Sequence, residues 1–306
     1  MGFAISKMVG AEFPLFAFSH CRDVVAAVSR AGGFGVLGGA GFTPETLEQE
    51  LAWIDAHVDG KPYGIDILVP EHQAVKADAT KEDIAAMVPP EYRKFVADLL
   101  ARHGIKPDEE QLRRPRMPGT MRGEQLLDVA FRHPIRLVAN ALGIAPPMMI
   151  ERGRKHGVPV AALVGAKEHA IRQVKAGVDI LVAQGTEAGG HCGEVSTLVL
   201  IPEVLRTIKP IRDVPVLAAG GIMTGRQMAG MMAMGAAGVW TGSVWLATTE
   251  AETTETFREK MVAASSRDTV RSKFRTGKPS RQLRSAWHDA WEAPGAPAAL
   301  PRCRCQ

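Results

Sequence analysis

Short apolar runs alternate with amphipathic stretches along most of this chain. Apolar runs bounded by Gly, Pro or polar clusters predict buried strands, and apolar positions spaced at the helical period predict helices that cover them. Strands are predicted at 13–18, 34–38, 63–69, 136–142, 159–164, 178–183, 215–219 and 238–243. Helices are predicted between them at 23–31, 44–57, 147–156, 166–176, 198–208 and 224–234. Local chemistry agrees: Thr43 precedes Pro44 as an N-cap, and Gly32-Gly33 stops the helix before it.

About eight strands separated by helices in roughly 250 residues fit a closed (β/α)8 TIM barrel better than an open doubly wound sheet. The first strand-to-helix turn lacks the G-x-G-x-x-G of a dinucleotide fold, and Gly32-Gly33-Phe34-Gly35 leads into a strand rather than opening a helix. Glycines recur instead at the C-terminal ends of strands, where barrels place their sites. One segment breaks the rhythm. Residues 70–133 lack an obvious strand and carry helical patterns at 77–88, 91–103 and 123–131 around a charged, Pro-rich stretch at 107–118. The expected organisation is a barrel from 1–69 and 134–290, a helical insertion at 70–133 after an early strand, and an irregular tail at 291–306. The insertion reads equally as a lid over the mouth or as a packing decoration or dimer contact.

Composition narrows the class. With 306 residues, 46% of them hydrophobic, the chain can bury a full core. A net charge of +4 with no long basic run, and only two Tyr and five Trp, argue against nucleic acid as a partner. The densest basic stretch holds Arg271, Lys273, Arg275, Lys278 and Arg281 and reads as a solvated face or an anion contact. Cys21, Cys192, Cys303 and Cys305 show neither metal-ligand spacing nor a disulfide framework, so no metal is expected. No signal-peptide pattern or membrane-length apolar run is seen, and a cytoplasmic protein without a membrane partner is expected.

The chemistry concentrates in Gln184-Gly185-Thr186-Glu187-Ala188-Gly189-Gly190-His191-Cys192-Gly193, directly after the 178–183 strand. By itself this is a glycine turn with a surface histidine. At a strand's C-terminal end it is also a place where backbone amides approach a ligand closely and an imidazole can act on it.

Three segments taken in order resemble the nitronate monooxygenase family: Ala183 to His191, Ala218-Ala219-Gly220-Gly221-Ile222, and Gly235 to Ser243 with its Trp240-Thr241-Gly242-Ser243 ending. Ala26 to Gly35 fits that family's first helix and second strand, and Phe274 to Arg284 looks like its C-terminal signature. The resemblance implies an FMN-binding TIM barrel that oxidises alkyl nitronates with O2, acting on a small-molecule substrate as a homodimer. It implies His191 as the catalytic group, taking an α-proton or polarising the substrate. It implies a phosphate cup from Gly220, Gly221, Thr241, Gly242 and Ser243, whose amides and hydroxyls are donors. Trp240 belongs to the same stretch. Gln184, Gly189 and Gly190 would serve the flavin ring, with the backbone of Ala17 and Phe18 facing it. Asp66 stands where the family usually has Asn; it could pair with a ring N–H, while a negative charge there would oppose an anionic reduced flavin. The first strand also departs, reading Ala17-Phe18-Ser19-His20 where the family commonly has Pro-Met.

Three rivals stay open on the sequence. The same scaffold suits an NAD(P)H-dependent flavin reductase of an enoyl thioester or quinone. An inert flavin- or phosphate-binding module is a reading from another class. A barrel lyase or isomerase using the phosphate cup for its substrate is the third.

Overall fold

The computed structural model describes residues 3–69, 88–113 and 122–299. Eight parallel strands close a barrel: β1 (Leu15–Ser19), β2 (Phe34–Gly38), β3 (Tyr63–Asp66), β4 (Val138–Asn140), β5 (Val160–Val164), β6 (Ile180–Gln184), β8 (Val216–Ala219) and β9 (Gly238–Thr241). Closure comes from β9 pairing with β1, Leu15 opposite Val239 and Ala17 opposite Thr241. Three further strands, β7 (Gly190–His191), β10 (Thr269–Ser272) and β11 (Ser280–Leu283), form a separate sheet.

The strands read as continuous apolar runs because both of their faces are covered. In β6, Ile180 and Val182 face the lumen with Phe16, Val36, Leu137, Leu217 and Trp240. Leu181 and Ala183 face outward and pack under Leu200 and Val204 of the helix Thr197–Ile208. Each such side chain, buried in full, contributes about 1.5–3 kcal/mol. Ile5 and Val9 of the first helix, Ala4–Val9, join the lumen cluster and plug the barrel.

The helix Pro44–His57 has its predicted bounds, with Thr43 and Thr46 forming a reciprocal capping box. Other bounds shift by a residue or two, and β3 stops at Asp66 instead of continuing to Val69. There the side chain of Asn140 takes over from the ladder: its Oδ1 accepts from the Val69 N–H at 3.1 Å and its Nδ2 donates to the Val69 carbonyl at 3.0 Å.

The insertion divides in two. Its last helix, Gly123–Ala130, buries Leu126, Leu127, Val129 and Ala130 in the cluster that holds Leu47, Leu51 and Ile54, so it sits in the outer ring of helices. The helix Pro90–Arg102 instead reaches the C-terminal helix Ala286–Glu292: Phe95 and Tyr92 lie 4.5 and 5.8 Å from the Trp291 ring. Within 107–118, Glu109–Arg113 forms a short helix. The predicted helix at 77–88, Val88 apart, and the tail with Cys303 and Cys305 lie outside the described residues.

One feature of the fold is absent from the strand prediction. The segment read as a basic surface stretch forms an antiparallel pair, β10 (Thr269–Ser272) with β11 (Ser280–Leu283), and β11 pairs in turn with the two-residue strand β7 (Gly190–His191). His288 in the helix Ala286–Glu292 is buried with its Nδ1 against the Ser285 hydroxyl. Among the described residues, no helix is long and apolar enough to cross a membrane.

Candidate active site

The C-terminal ends of β1, β3, β6, β8 and β9 bring most of the sequence-predicted residues to one mouth. The loop after β6 begins as a continuation of the sheet, the Gly185 N–H donating to the Ala219 carbonyl at 2.9 Å. It is then pinned by Glu187, whose Oε2 accepts from both the N–H and the hydroxyl of Thr197 at 2.8 Å. That carboxylate satisfies an otherwise free donor at the start of the helix Thr197–Ile208. A side chain at Gly185 has no room, since its Cβ would lie 2.2 Å from the Thr197 hydroxyl and 2.3 Å from the Thr197 nitrogen. The same holds at Gly189, where a Cβ would lie 2.3 Å from Ser243 Oγ. The loops after β6 and β9 therefore meet at that point. Gly220 and Gly221 turn the chain out of β8 with φ of 110° and 71°, a backbone that other residues rarely adopt.

His191 sits on β7, opposite Ser280 of β11. The turn between β10 and β11 delivers Thr276, whose Oγ1 is 2.7 Å from His191 Nε2. The residue is exposed at its edge, yet partial burial of the ring, and then the nearby cations Lys278 and Arg275, hold its pKa below the ordinary histidine value. Arg281 anchors the sheet to the loop, its Nε donating to the Thr186 carbonyl and its Nη1 to Thr269 Oγ1, both at 2.9 Å. At least one arginine of the basic stretch thus has a structural task. Thr276 was not singled out by the sequence reading, although its segment was; the missing information was the pairing of β11 with β7.

The lumen side of the mouth is aromatic. Phe18 stacks near Trp240 at 6.3 Å and meets His20 edge-on at 5.2 Å. His20 Nδ1 contacts the Gly38 carbonyl at 2.9 Å, and a Cβ on Gly38 would collide with the His20 ring at 2.6 Å. Trp240 is buried between Phe18 and Phe16 and forms part of the floor. Gln184 continues the lumen-facing series of Ile180 and Val182 and is partly exposed.

Two predicted contacts are limited by the geometry. The Ala17 side chain packs outward against Val24, Val28 and Ala251, so only its backbone is left to face the mouth. The Thr241 hydroxyl, expected as a phosphate donor, donates to the Phe16 carbonyl at 3.0 Å and accepts from Trp245 Nε1 at 3.0 Å. Its one proton is committed to the barrel wall. Ser243, by contrast, is exposed with no hydrogen bond to its hydroxyl among the described residues.

Asp66 ends β3 on the lumen face and is 5% exposed. Its Oδ1 has no hydrogen-bond partner. Burial pushes its pKa up to about 7, opposed only by a hydrogen bond to the Ala141 backbone.

A closed (β/α)8 barrel whose mouth gathers glycine loops, a buried carboxyl and two imidazoles has the architecture of a barrel enzyme. The nitronate monooxygenase family model matches residues 11–304. The Mycobacterium tuberculosis protein Rv1533, whose name gives it a monooxygenase activity without a substrate, is 53% identical over 97% of this chain and 80% of its own length. A Staphylococcus aureus protein named as a probable nitronate monooxygenase is 28% identical over 91% of this chain and 77% of its own. Among solved structures, nitroalkane oxidase from Streptomyces ansochromogenes superposes with a TM-score of 0.79 at 25% identity, covering 99% of this chain and 84% of that one. A FabK variant from Thermotoga maritima superposes with a TM-score of 0.71 at 27% identity, covering 95% and 81%. The chain belongs to the nitronate monooxygenase family and is an oxidoreductase.

Proposed function

We propose that this enzyme binds FMN at the barrel mouth and oxidises alkyl nitronates with O2. The observation that carries the reading is the placement of His191, fixed by Thr276 on the loop whose Gly185 and Gly189 pack too closely on their neighbours for side chains. The residues present fit a flavin. The buried Asp66 Oδ1 lacks a partner of its own, and Gly190 borders open space, with nothing within 4 Å of where a Cβ would stand. Gly220, Gly221, Gly242 and Ser243 would hold the phosphate through amides and the Ser243 hydroxyl, and the Thr241 backbone joins them. Gln184 and Asp66 would meet the polar edge of the ring. Gly189 and Gly190 leave room for the ring itself, beside the backbone of Ala17 and Phe18, with Trp240 beneath.

When bound, FMN supplies the electron transfer from the organic substrate and the reaction with O2. The protein's own part is orientation and proton handling. With Nε2 engaged by Thr276, His191 keeps Nδ1 for the substrate. A depressed pKa keeps that nitrogen neutral at neutral pH, ready to take the α-proton of a nitroalkane. Bound in its other tautomer, the ring would offer an N–H to an anionic nitronate. Phe18 and His20 give the facing wall an apolar surface suited to a short alkyl group.

The family match and the nitroalkane oxidase likeness support the nitronate as substrate. Oxygen consumption with propyl-2-nitronate tests the reading. Turnover by FMN-loaded protein is expected, and with neutral 2-nitropropane, whose α-proton must first leave, the rate should fall about a hundredfold or more in His191→Asn while FMN stays bound. A purified chain that takes up no flavin, or a His191→Asn variant with the wild-type rate on 2-nitropropane, contradicts it.

A further inference from the structure

Asp66 is the only described residue whose buried carboxyl is left with an unpartnered oxygen. It faces the lumen, as Gly64 does two residues earlier, while Tyr63, Ile65 and Ile67 belong to the outer layer. Its neighbours across the sheet are Gly38 on β2 and Ala139 on β4, neither of which can offer a charge. On the lumen face, β6 presents Gln184, which is neutral, and β5 and β8 present Leu163 and Ala219. The titratable group on the adjoining β1 loop is His20, and it is tied to the Gly38 carbonyl. Asp66 forms no ion pair among the described residues.

A carboxylate here would be a buried charge without a counter-ion, a state that burial opposes. A neutral carboxylic acid differs in more than charge. It carries an O–H donor next to a C=O acceptor, the same pair that a carboxamide offers, whereas a carboxylate only accepts. The polar edge of a flavin ring presents an N–H donor flanked by carbonyl acceptors, so a donor–acceptor pair matches it and two acceptors do not.

Resting on the flavin reading above, we infer that Asp66 holds the flavin ring as a neutral carboxylic acid, and that its proton therefore sets the protein's affinity for the cofactor. The O–H at the unpartnered Oδ1 would donate to a ring carbonyl, and the other oxygen, which already accepts from the Ala141 backbone, would take the ring N–H. The acid stands in for an amide, with one difference: an amide cannot be switched off by pH.

The protonated form binds, so affinity is highest below the carboxyl's pKa in the free protein and is lost as pH rises through it. With that pKa at about 7, the working window lies around neutrality. The test is the FMN dissociation constant, measured by fluorescence titration of the flavin-free chain between about pH 6 and pH 9. The wild-type Kd is expected to rise up to about tenfold per pH unit above neutrality. Asp66→Asn is expected to bind FMN with a flat profile, and His20→Gln to keep the wild-type slope. Superimposable wild-type and Asp66→Asn profiles overturn the inference, as does a wild-type affinity that grows with pH. A second measurement needs no variant. Infrared difference spectra of FMN binding to the wild-type chain near about pH 8 should show a protonated-carboxyl stretch appearing, since binding draws the proton back; its absence overturns the inference too. Tight FMN binding without pH dependence removes this inference and leaves the flavin reading standing. No FMN binding at any pH removes both.

Discussion

The proton economy of the mouth rests on a few residues. His191 is depressed by partial burial and by Lys278 and Arg275, so its neutral form persists to lower pH than an ordinary imidazole's. Turnover of a neutral nitroalkane, which needs this base, is expected at neutral pH and should be lost as the solution is acidified through the depressed pKa. Lys278→Met removes one cation, and the acid limb of the kcat/KM profile should move to higher pH; a limb that stays in place, or moves down, contradicts the assignment. Asp66 works in the opposite direction. A carboxyl whose folded pKa is raised to about 7 costs the flavin-free chain stability as pH rises from the unfolded value to the folded one. Asp66→Asn should stabilise the flavin-free chain by an amount that grows between about pH 4 and pH 7 and then levels, on the order of 4 kcal/mol at most. Urea melts at several pH values read this directly, and a gain that is independent of pH would contradict the burial argument.

At the scale of elements, the loop after β6 is shaped by its contact with the helix Thr197–Ile208. Gly185→Ala would drive a methyl into the Thr197 hydroxyl and nitrogen, and the loop or the helix start must move. A loss of about 1–3 kcal/mol is expected in denaturant melts. An unchanged midpoint would show that the loop is softer than its hydrogen bonds imply. This loop also shows where the sequence was informative and where it was not. Strands such as 34–38 could be read with correct bounds because they are buried on both faces, so no polar residue interrupts them. Likewise the bounds of 44–57 followed from Thr43, Pro44 and a C-terminal His57. The β7–β11–β10 sheet had no such signature. β7 is two residues long, and Thr269–Ser272 and Ser280–Leu283 mix charged and apolar residues. Their pairing is decided by long-range packing, and Thr276 against His191 could not be seen without it. The committed hydroxyl of Thr241 was hidden for the same reason, because its acceptor, the Phe16 carbonyl, comes from β1 at the other end of the barrel sequence.

For the whole molecule, the C-terminal segment joins the barrel mouth to the insertion. Phe274 stacks on Trp291 at 5.5 Å, and Trp291 in turn receives Phe95, Tyr92 and Trp287. The same chain segment thus touches the helix Pro90–Arg102 on one side and carries Thr276 to His191 on the other. Trp291→Ala should cost about 3–5 kcal/mol of local packing. In limited proteolysis the helix Pro90–Arg102 should then be cut before the barrel is; simultaneous loss of both would mean that the insertion and barrel unfold as one unit. The barrel rhythm of the sequence was enough to place the glycine loops at one mouth, because every βα unit delivers its strand's C-terminal end to the same side. In the proposed function this mouth passes electrons from a nitronate to bound FMN, with His191 removing the α-proton where the substrate arrives as a neutral nitroalkane. Anaerobic rapid mixing tests it most directly, with propyl-2-nitronate, NADH and NADPH compared as reductants of the FMN-loaded chain. Fast loss of flavin absorbance is expected with the nitronate and little with either nicotinamide, while reduction by neutral 2-nitropropane should be at least about a hundredfold slower in His191→Asn. Fast bleaching by NADH or NADPH with none by the nitronate would contradict it.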